Sequence, residues 1–313
     1  MGGAYEYRLV ELEKGHWYLT NHIEDEVLPP DVDPTTPQFR SETGAYIGNL
    51  ASANRLFNHG LHDRQYITPE SSLWTRTNAN FGTFRDSSNQ AKITQDYYAF
   101  QVGGDVIKGV FGDQPFTFGL MGGYGYTESK SRNEVTGYQS KGRGDAYAIG
   151  IYGTLGEDHY RYVDGWLQYI YMDSTIKSAG IDNESYKVKG FIASIEAGYA
   201  FELSQNLHLQ PQLQLTWMGA KMDDMTDGSG TKIRGSKDNI ETRLGVRLFA
   251  DKALANGGSI RPYMDLNYIH NSKPFAAEFD GVRVEQKGTR NLGEVKVGLE
   301  ADVNDNLKVW GDV

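Results

Sequence analysis

Cysteine is absent from the chain, which removes disulfides and thiolate metal sites. That absence suits a reducing cytosol, and equally an outer-membrane protein that must stay unlocked in an oxidising periplasm, so it does not choose the compartment. There is no Lys/Arg run, and the formal net charge is -10, which excludes a nucleic-acid surface. The seven histidines are scattered. His59 and His62 are the closest pair, and no further ligands stand at metal spacing from them. Neither a Walker loop nor a dinucleotide fingerprint is present, so no cofactor, metal or catalytic set is expected. No stretch approaches the ~18 consecutive apolar residues of a helical membrane span. The mean hydropathy of -0.55 does not make the chain soluble, because a membrane strand alternates lipid-facing and lumen-facing residues and averages to nothing. The start, MGGAYEYRL, lacks a basic and then apolar leader, so any export signal is expected upstream.

What the chain does have is aromatic residues and glycine: Tyr 20, Phe 13, Trp 5 and Gly 37 against Pro 9, a balance that favours antiparallel strands. One stretch reads as helix, Glu42 to Arg64 within 41–65. Ile47, Leu50, Asn54, Phe57 and Leu61 fall on one stripe, while Gly44, Ala51 and Ala53 keep it slim. Ser41 or Thr43 is placed to cap its start and Glu42 to complement its dipole. Asn49, Arg55, Asn58, His59 and His62 occupy much of the remaining surface, and an apolar socket would leave them unsatisfied. Such a helix wants a polar container, and about 20 helical residues rise roughly 30 Å, the thickness of a bilayer core.

Before the helix, residues 1–28 carry a strand-like unit in which Tyr5, Tyr7 and Leu9 alternate, turn at Lys14-Gly15 and return through Trp17 to Leu19. Alone it cannot bury both faces, and it reads as the last rung of something larger. Residues 29–40, with Pro29, Pro30, Pro34 and Pro37, read as an extended linker.

From Leu73 onward about eleven segments show period-two alternation. The clearest is Leu207 to Met218, where Leu207, Leu209, Pro211, Leu213, Leu215 and Trp217 face one way and His208, Gln210, Gln212, Gln214 and Thr216 the other; Pro211 is expected to make it irregular. The polar faces of the set supply the expected lumen lining: Arg76, Gln101, Asp105, Glu196, Gln210, Gln212, Gln214, Glu241, Arg243, Arg247, Asp265, Glu294 and Glu300. A soluble sandwich also alternates, but two further features point to a membrane. Aromatics gather toward strand ends, as at Tyr124, Tyr126, Tyr169, Tyr171, Trp217 and Tyr268. Connections also alternate, with long polar ones near 85–95, 129–141, 176–187, 219–238 and 271–290 and mostly shorter ones between. The expected fold is therefore an all-β membrane protein: an antiparallel transmembrane β-barrel of about twelve strands, over 66–313, with the N-terminal α-helix inside the pore. Even parity leaves a final strand expected beyond Val313. About twelve strands also leave room for one helix, whereas eight fill themselves.

At this point the chain resembles the C-terminal translocator domain of a monomeric autotransporter of the AIDA-type adhesin group (type V secretion). The resemblance runs over essentially the whole chain. It is carried by GGAYEYRLVELEKGHWYLTNH, RSETGAYIGNLASANRLFNHGLHDR, LWTRTNANFGTFRD, FQVGGDV, GLMGGYGY, SYKVKGFIASIEAGYAF, LQPQLQLTWMGAK and NDNLKVWGDV. It implies a Gram-negative outer-membrane location and a helix plugging the pore. A linker then crosses the lumen to an upstream passenger displayed or released at the surface. The partners it implies are outer-membrane lipids, the barrel-assembly machinery, periplasmic chaperones and the passenger itself. Members that cut the helix inside the pore use a pattern that Asn49, Asn54 and Asn58 do not reproduce. The alternatives are a passive porin, which predicts an open channel, and a barrel enzyme. For an enzyme, His159, His208 and His270 lie near strand ends, but Asp158, Gln210 and Asn271 beside them do not make a nucleophile, base and orienting group.

Overall fold

The computed structural model describes residues 2–22, 37–66, 71–157, 160–178, 183–235, 238–254, 258–304 and 307–313. Residues 29–36 of the expected linker, and Asp158 and His159, lie outside that set. Among the described residues the wall is one up-and-down antiparallel sheet of eleven main strands from Leu73 on, extended by the short pieces Gln65–Tyr66, Phe201–Ser204, Lys221–Met222 and Lys252–Ala253. The main strands are β1 (Leu73–Arg85), β2 (Ala91–Phe111), β3 (Gln114–Asn133), β4 (Gln139–Glu157), β5 (Arg161–Ser178), β6 (Glu184–Tyr199), β7 (Leu207–Met218), β8 (Asn239–Ala250), β9 (Ser259–Asn271), β10 (Asn291–Asn304) and β11 (Leu307–Asp312). Each pairs with its sequence neighbours. Among the described residues β11 and β1 are not paired with each other. In β7 the apolar row faces out and the glutamine row faces in, as the alternation requires. Pro211 makes the strand irregular on one side only: register with β8 is continuous, but toward β6 the ladder stops at Gln212 and resumes at Leu209 with the short piece Phe201–Ser204, leaving the missing N–H in the gap.

The helix, α1 (Glu42–Arg55), has 14 residues and ends well short of Arg64. It is buried on every side from Glu42 to Asn54, so a single apolar stripe does not describe it. Its early end has a physical cause. Beyond Arg55 the backbone carbonyls are taken by donors from the wall. Gln168 Nε2 reaches Phe57 O at 3.1 Å, Arg76 reaches Asn58 O at 2.9 Å, and Trp166 Nε1 and Gln214 Nε2 reach His59 O at 3.1 and 2.8 Å. A chain whose carbonyls are satisfied from outside has no need of the i to i-4 ladder. A single 3-10 turn, Leu61–Asp63, follows Gly60. At the other end no side chain caps the helix from Ser41; instead Thr43 donates back to Arg40 O at 2.8 Å.

The connections differ from their expected lengths. Strands β2 to β6 run 21, 20, 19, 18 and 16 residues, so the first two turns at that end shrink to 86–90 and 134–138. The two long polar connections, 219–238 and 272–290, are not open loops. Met225–Thr226, Lys232–Gly235, Ala276–Phe279 and Val282–Glu285 pair into a separate four-stranded antiparallel sheet. Its buried Ile233, Ala277, Phe279 and Val284 join the same core as α1. This sheet is a lid across the mouth of the barrel. The N-terminal unit is a hairpin, Arg8–Glu13 with His16–Thr20, turning at Gly15 with φ +85, and its Leu9, Trp17 and Leu19 are exposed.

Candidate functional site: the plugged lumen

The lumen has a dry end under the lid and a wet end beneath the helix. At the dry end the small residues of α1 pack against β2 and β3. A Cβ added at Gly48 would lie 2.5 Å from Ser129 Oγ, and one at Gly44 would lie 2.6 Å from Ile93 Cγ1, so both glycines are required for the helix to sit this close. Ser52 and Thr127 share a hydrogen bond of 2.7 Å, and Gln95 Nε2 donates to Gly48 O at 2.8 Å. Asn49 Nδ2 donates to Arg143 O and to the Tyr186 hydroxyl, both at 3.2 Å. Asn54 clasps one peptide unit, donating to Ala220 O at 2.8 Å and accepting from Ala220 N–H at 3.2 Å. Tyr46 packs between Tyr186 and Phe279, with ring centroids at 5.2 and 5.8 Å.

Above the helix, Arg40 is a fully buried guanidinium. It donates to Asp227 Oδ2 at 2.8 Å, to Thr231 Oγ1 at 3.2 Å, to Ser229 Oγ at 3.3 Å and to Gly3 O at 3.2 Å. One side chain thus ties the linker, the lid and the N-terminal segment. Asn133 Nδ2 to Phe39 O at 2.6 Å and Gln90 Oε1 from Phe39 N–H at 2.9 Å hold the same stretch to β2 and β3.

Beneath the helix a polar cavity of about 450 Å³ lies between residues 55–63 and the wall, lined by Arg76, Thr77, Asn78 and Asn80 of β1 as well as by β8 to β11. Here the contacts are ionic and partly hydrated. Arg55 and Asn58 face Glu241 at 3.7 and 3.4 Å, Asp63 pairs with Lys296 at 2.9 Å, and His62 meets Gln210 at 2.9 Å. Arg64 forms a buried pair with Asp164. Glu196 Oε2 accepts from Leu61 N–H at 3.2 Å and pairs with Arg243 at 3.1 Å.

The residues expected to line the lumen divide by their contacts. Arg76, Glu196, Gln210, Gln214 and Glu241 touch the plug. The others brace the wall. Gln101 links Arg76 to Gln168, Gln212 bonds Gln210, and Asp105 takes the Tyr152 hydroxyl at 2.5 Å. Arg247 bridges Asp265 and Glu300, and Glu294 accepts from Asn267 at 2.7 Å while facing the cavity. Of the helix residues, Ile47, Leu50, Phe57 and Leu61 are buried in the plug core, with Asn49, Asn54, Arg55, Asn58 and His62 bonded to the wall as above. Sequence reasoning missed Arg40, Asp227, Gln95, Trp166 and the Asp63–Lys296 pair. Arg40 immediately before a helix start was the one available signal; the rest are joined only by the sheet's closure. Among the described residues no cluster of three His, Asp or Glu side chains is set for a metal ion, and His208 and His270 face Asp251 and Asn291 with no nucleophile beside them.

The plug, the up-and-down wall and the outward apolar rows have a counterpart among known proteins, since residues 73–313 match the autotransporter beta-domain. The chain belongs to that family. This β-domain is 32% identical to the autotransporter adhesin AIDA-I of Escherichia coli, across 100% of the chain and 26% of AIDA-I. It is 35% identical to the E. coli K12 protein YdeU, across 99% of the chain and 76% of YdeU. It superposes on the crystal structure of the AIDA-I transport unit with a TM-score of 0.81 at 31% identity, covering 88% of the chain and 93% of that structure. The β-domain is thus an outer-membrane barrel, and its apolar rows face lipid.

Proposed function

We propose that this β-domain is the translocator of a type V system. It secretes and anchors an upstream passenger through or alongside its own pore, and the plugged lumen is the state reached once transport has ended. The observation that carries this is the path of the chain. α1 fills the lumen, Phe39 and Arg40 leave it at the mouth beneath the lid, and the hairpin Arg8–Thr20 lies beyond with its apolar edges unpaired. A porin has no use for a segment buried on all sides of its channel. No nucleotide site is needed, because folding of the passenger outside biases an extended chain outward. The exposed Leu9, Trp17 and Leu19 support a second role for the hairpin, as the rung on which the passenger's next strands pair. Insertion is assigned to the barrel-assembly machinery and passage across the periplasm to chaperones. The role is non-enzymatic.

An epitope placed ahead of Tyr5, read by antibody on intact cells, tests this. Labelling that disappears when residues 42–58 are deleted, while the wall still inserts, supports the translocator. A periplasmic epitope beside a well-inserted wall contradicts it.

A further inference from the structure

The outer surface of β3 to β6 carries an arrangement that neither the lumen nor the lid uses. Along these strands the outward residues form rows fixed by register. One row is aromatic, Tyr124 opposite Tyr147 opposite Tyr171, and marks the polar boundary of the lipid belt. Six residues nearer the lid, about 20 Å along the strand, another row reads Lys130 opposite Lys141 opposite Lys177. Between the two rows stands Arg143, while Lys187 and Lys189 line the neighbouring strand.

Three lysines side by side on adjacent strands repel one another, an arrangement that sheets ordinarily avoid. The local carboxylates do not neutralise it. Lys130, Lys141 and Arg143 all converge on the single carboxylate of Glu128, at 3.2, 2.7 and 3.2 Å. Asp145 and Asp173 are engaged by the hydroxyls of Tyr124 and Tyr171 at 2.7 and 3.0 Å. Asp223 pairs with Lys189 at 2.9 Å, so six cations stand against four carboxylates, a local excess in a chain whose formal net charge is -10. The strands concerned are among the longest, and a membrane strand needs only about 10 residues, so their upper ends rise past the bilayer core on this side.

We infer that this face binds the phosphorylated headgroup of an anionic lipid in the outward leaflet, with Lys130, Lys141, Lys177 and Arg143 as the phosphate-binding set. A lipid is the occupant because the patch continues directly from the aromatic boundary. An acyl chain running down the apolar rows and a phosphate at the lysine row are reached by one molecule. The inference rests on the outer-membrane orientation with the lid outside, but not on translocation.

The test uses the whole chain in neutral detergent, titrated with bisphosphorylated lipid A or with the same lipid stripped of phosphate, and read by native mass spectrometry. The phosphorylated lipid is expected to be retained and the stripped one not. The variant Lys141→Gln/Lys177→Gln, altered only on the outer surface, should bind about 30-fold more weakly. Glu128→Gln, which frees three cations, should bind several-fold more tightly, roughly the effect of one added surface charge. Lys108→Gln, at the opposite end of the wall, should bind as the parent does. Equal retention of both lipids, parent-like binding by the double variant, or displacement by millimolar inorganic phosphate would each overturn the assignment. Surface labelling of a passenger epitope is read separately, so its failure leaves this result standing.

Discussion

Under the lid, α1 meets the wall through glycine against serine, Asn54 against one peptide unit, and an Arg40–Asp227 pair with no solvent at either side chain. Beneath the helix the same segment meets the wall across a cavity, through Arg55–Glu241 and Asp63–Lys296 pairs that keep 15–25% of their side-chain surface wet. The two ends use the same residue types with opposite energetics. A buried polar group that loses its partner retains its full desolvation cost, whereas a hydrated ion pair loses little, because water takes the partner's place. The plug is therefore held at its lid end, with the buried Arg64–Asp164 pair as a second anchor, and the side of residues 55–63 that faces the cavity is more loosely braced.

The largest effect is expected where a charge is stranded. Asp227→Ala leaves the buried Arg40 guanidinium with only Glu42, 3.5 Å from its Nε, and should lower the stability of the lid by about 3 kcal/mol. Hydrogen exchange of the lid strands Ala276–Phe279 and Val282–Glu285 in detergent is the readout. Gly48→Val comes next. Its side chain has nowhere to go against Ser129, and overpacking of this kind costs about 3 kcal/mol, read as a lower thermal midpoint of the folded barrel. Asn54→Ala should cost about 2 kcal/mol by orphaning both groups of Ala220. Arg55→Gln, one residue further along the same helix, should change the midpoint by less than about 1 kcal/mol. If Arg55→Gln proved as costly as Asn54→Ala, the division into dry and wet ends would fail.

A pH effect belongs to the lid end as well. Glu6 lies outside the membrane wall, and burial, with Glu42 nearby, raises its carboxyl to about 7, against a smaller lowering by Arg40. A carboxyl whose pKa is raised on docking favours the docked state while protonated. Docking of the N-terminal segment is thus unpenalised below the ordinary carboxylate range and weakens as pH rises through about 7. Limited proteolysis between pH 6 and 8 should show the segment released at the alkaline end, and Glu6→Gln should abolish the difference.

The wall was legible because period-two alternation is plain in strands such as β5 and β7, whose inward and outward rows follow parity. The helix was legible in kind but not in length. Its polar residues Asn58, His59 and His62 continue the 3.6 period, and nothing local announces that Gln168, Arg76 and Gln214 will take the carbonyls there. The lid was not legible. Its strands are two to four residues long and pair between connections some fifty residues apart, as Ile233 with Phe279, so no window of sequence contains the pattern. For the same reason Arg40 could be placed near the helix start but not joined to Asp227.

The absence of cysteine permits the most direct test of the dry and wet ends, since a single introduced thiol is the only one in the chain. Ala51→Cys places it on the face of α1 that is fully buried; Arg55→Cys places it one turn on, at the edge of the cavity. With a small soluble maleimide applied to the folded barrel, the account predicts rapid labelling at 55 and labelling at 51 slower by more than about a hundredfold, the ratio set by an opening cost near 3 kcal/mol. Equal rates at the two positions would show a helix loose along its whole length and would contradict a plug held at its lid end.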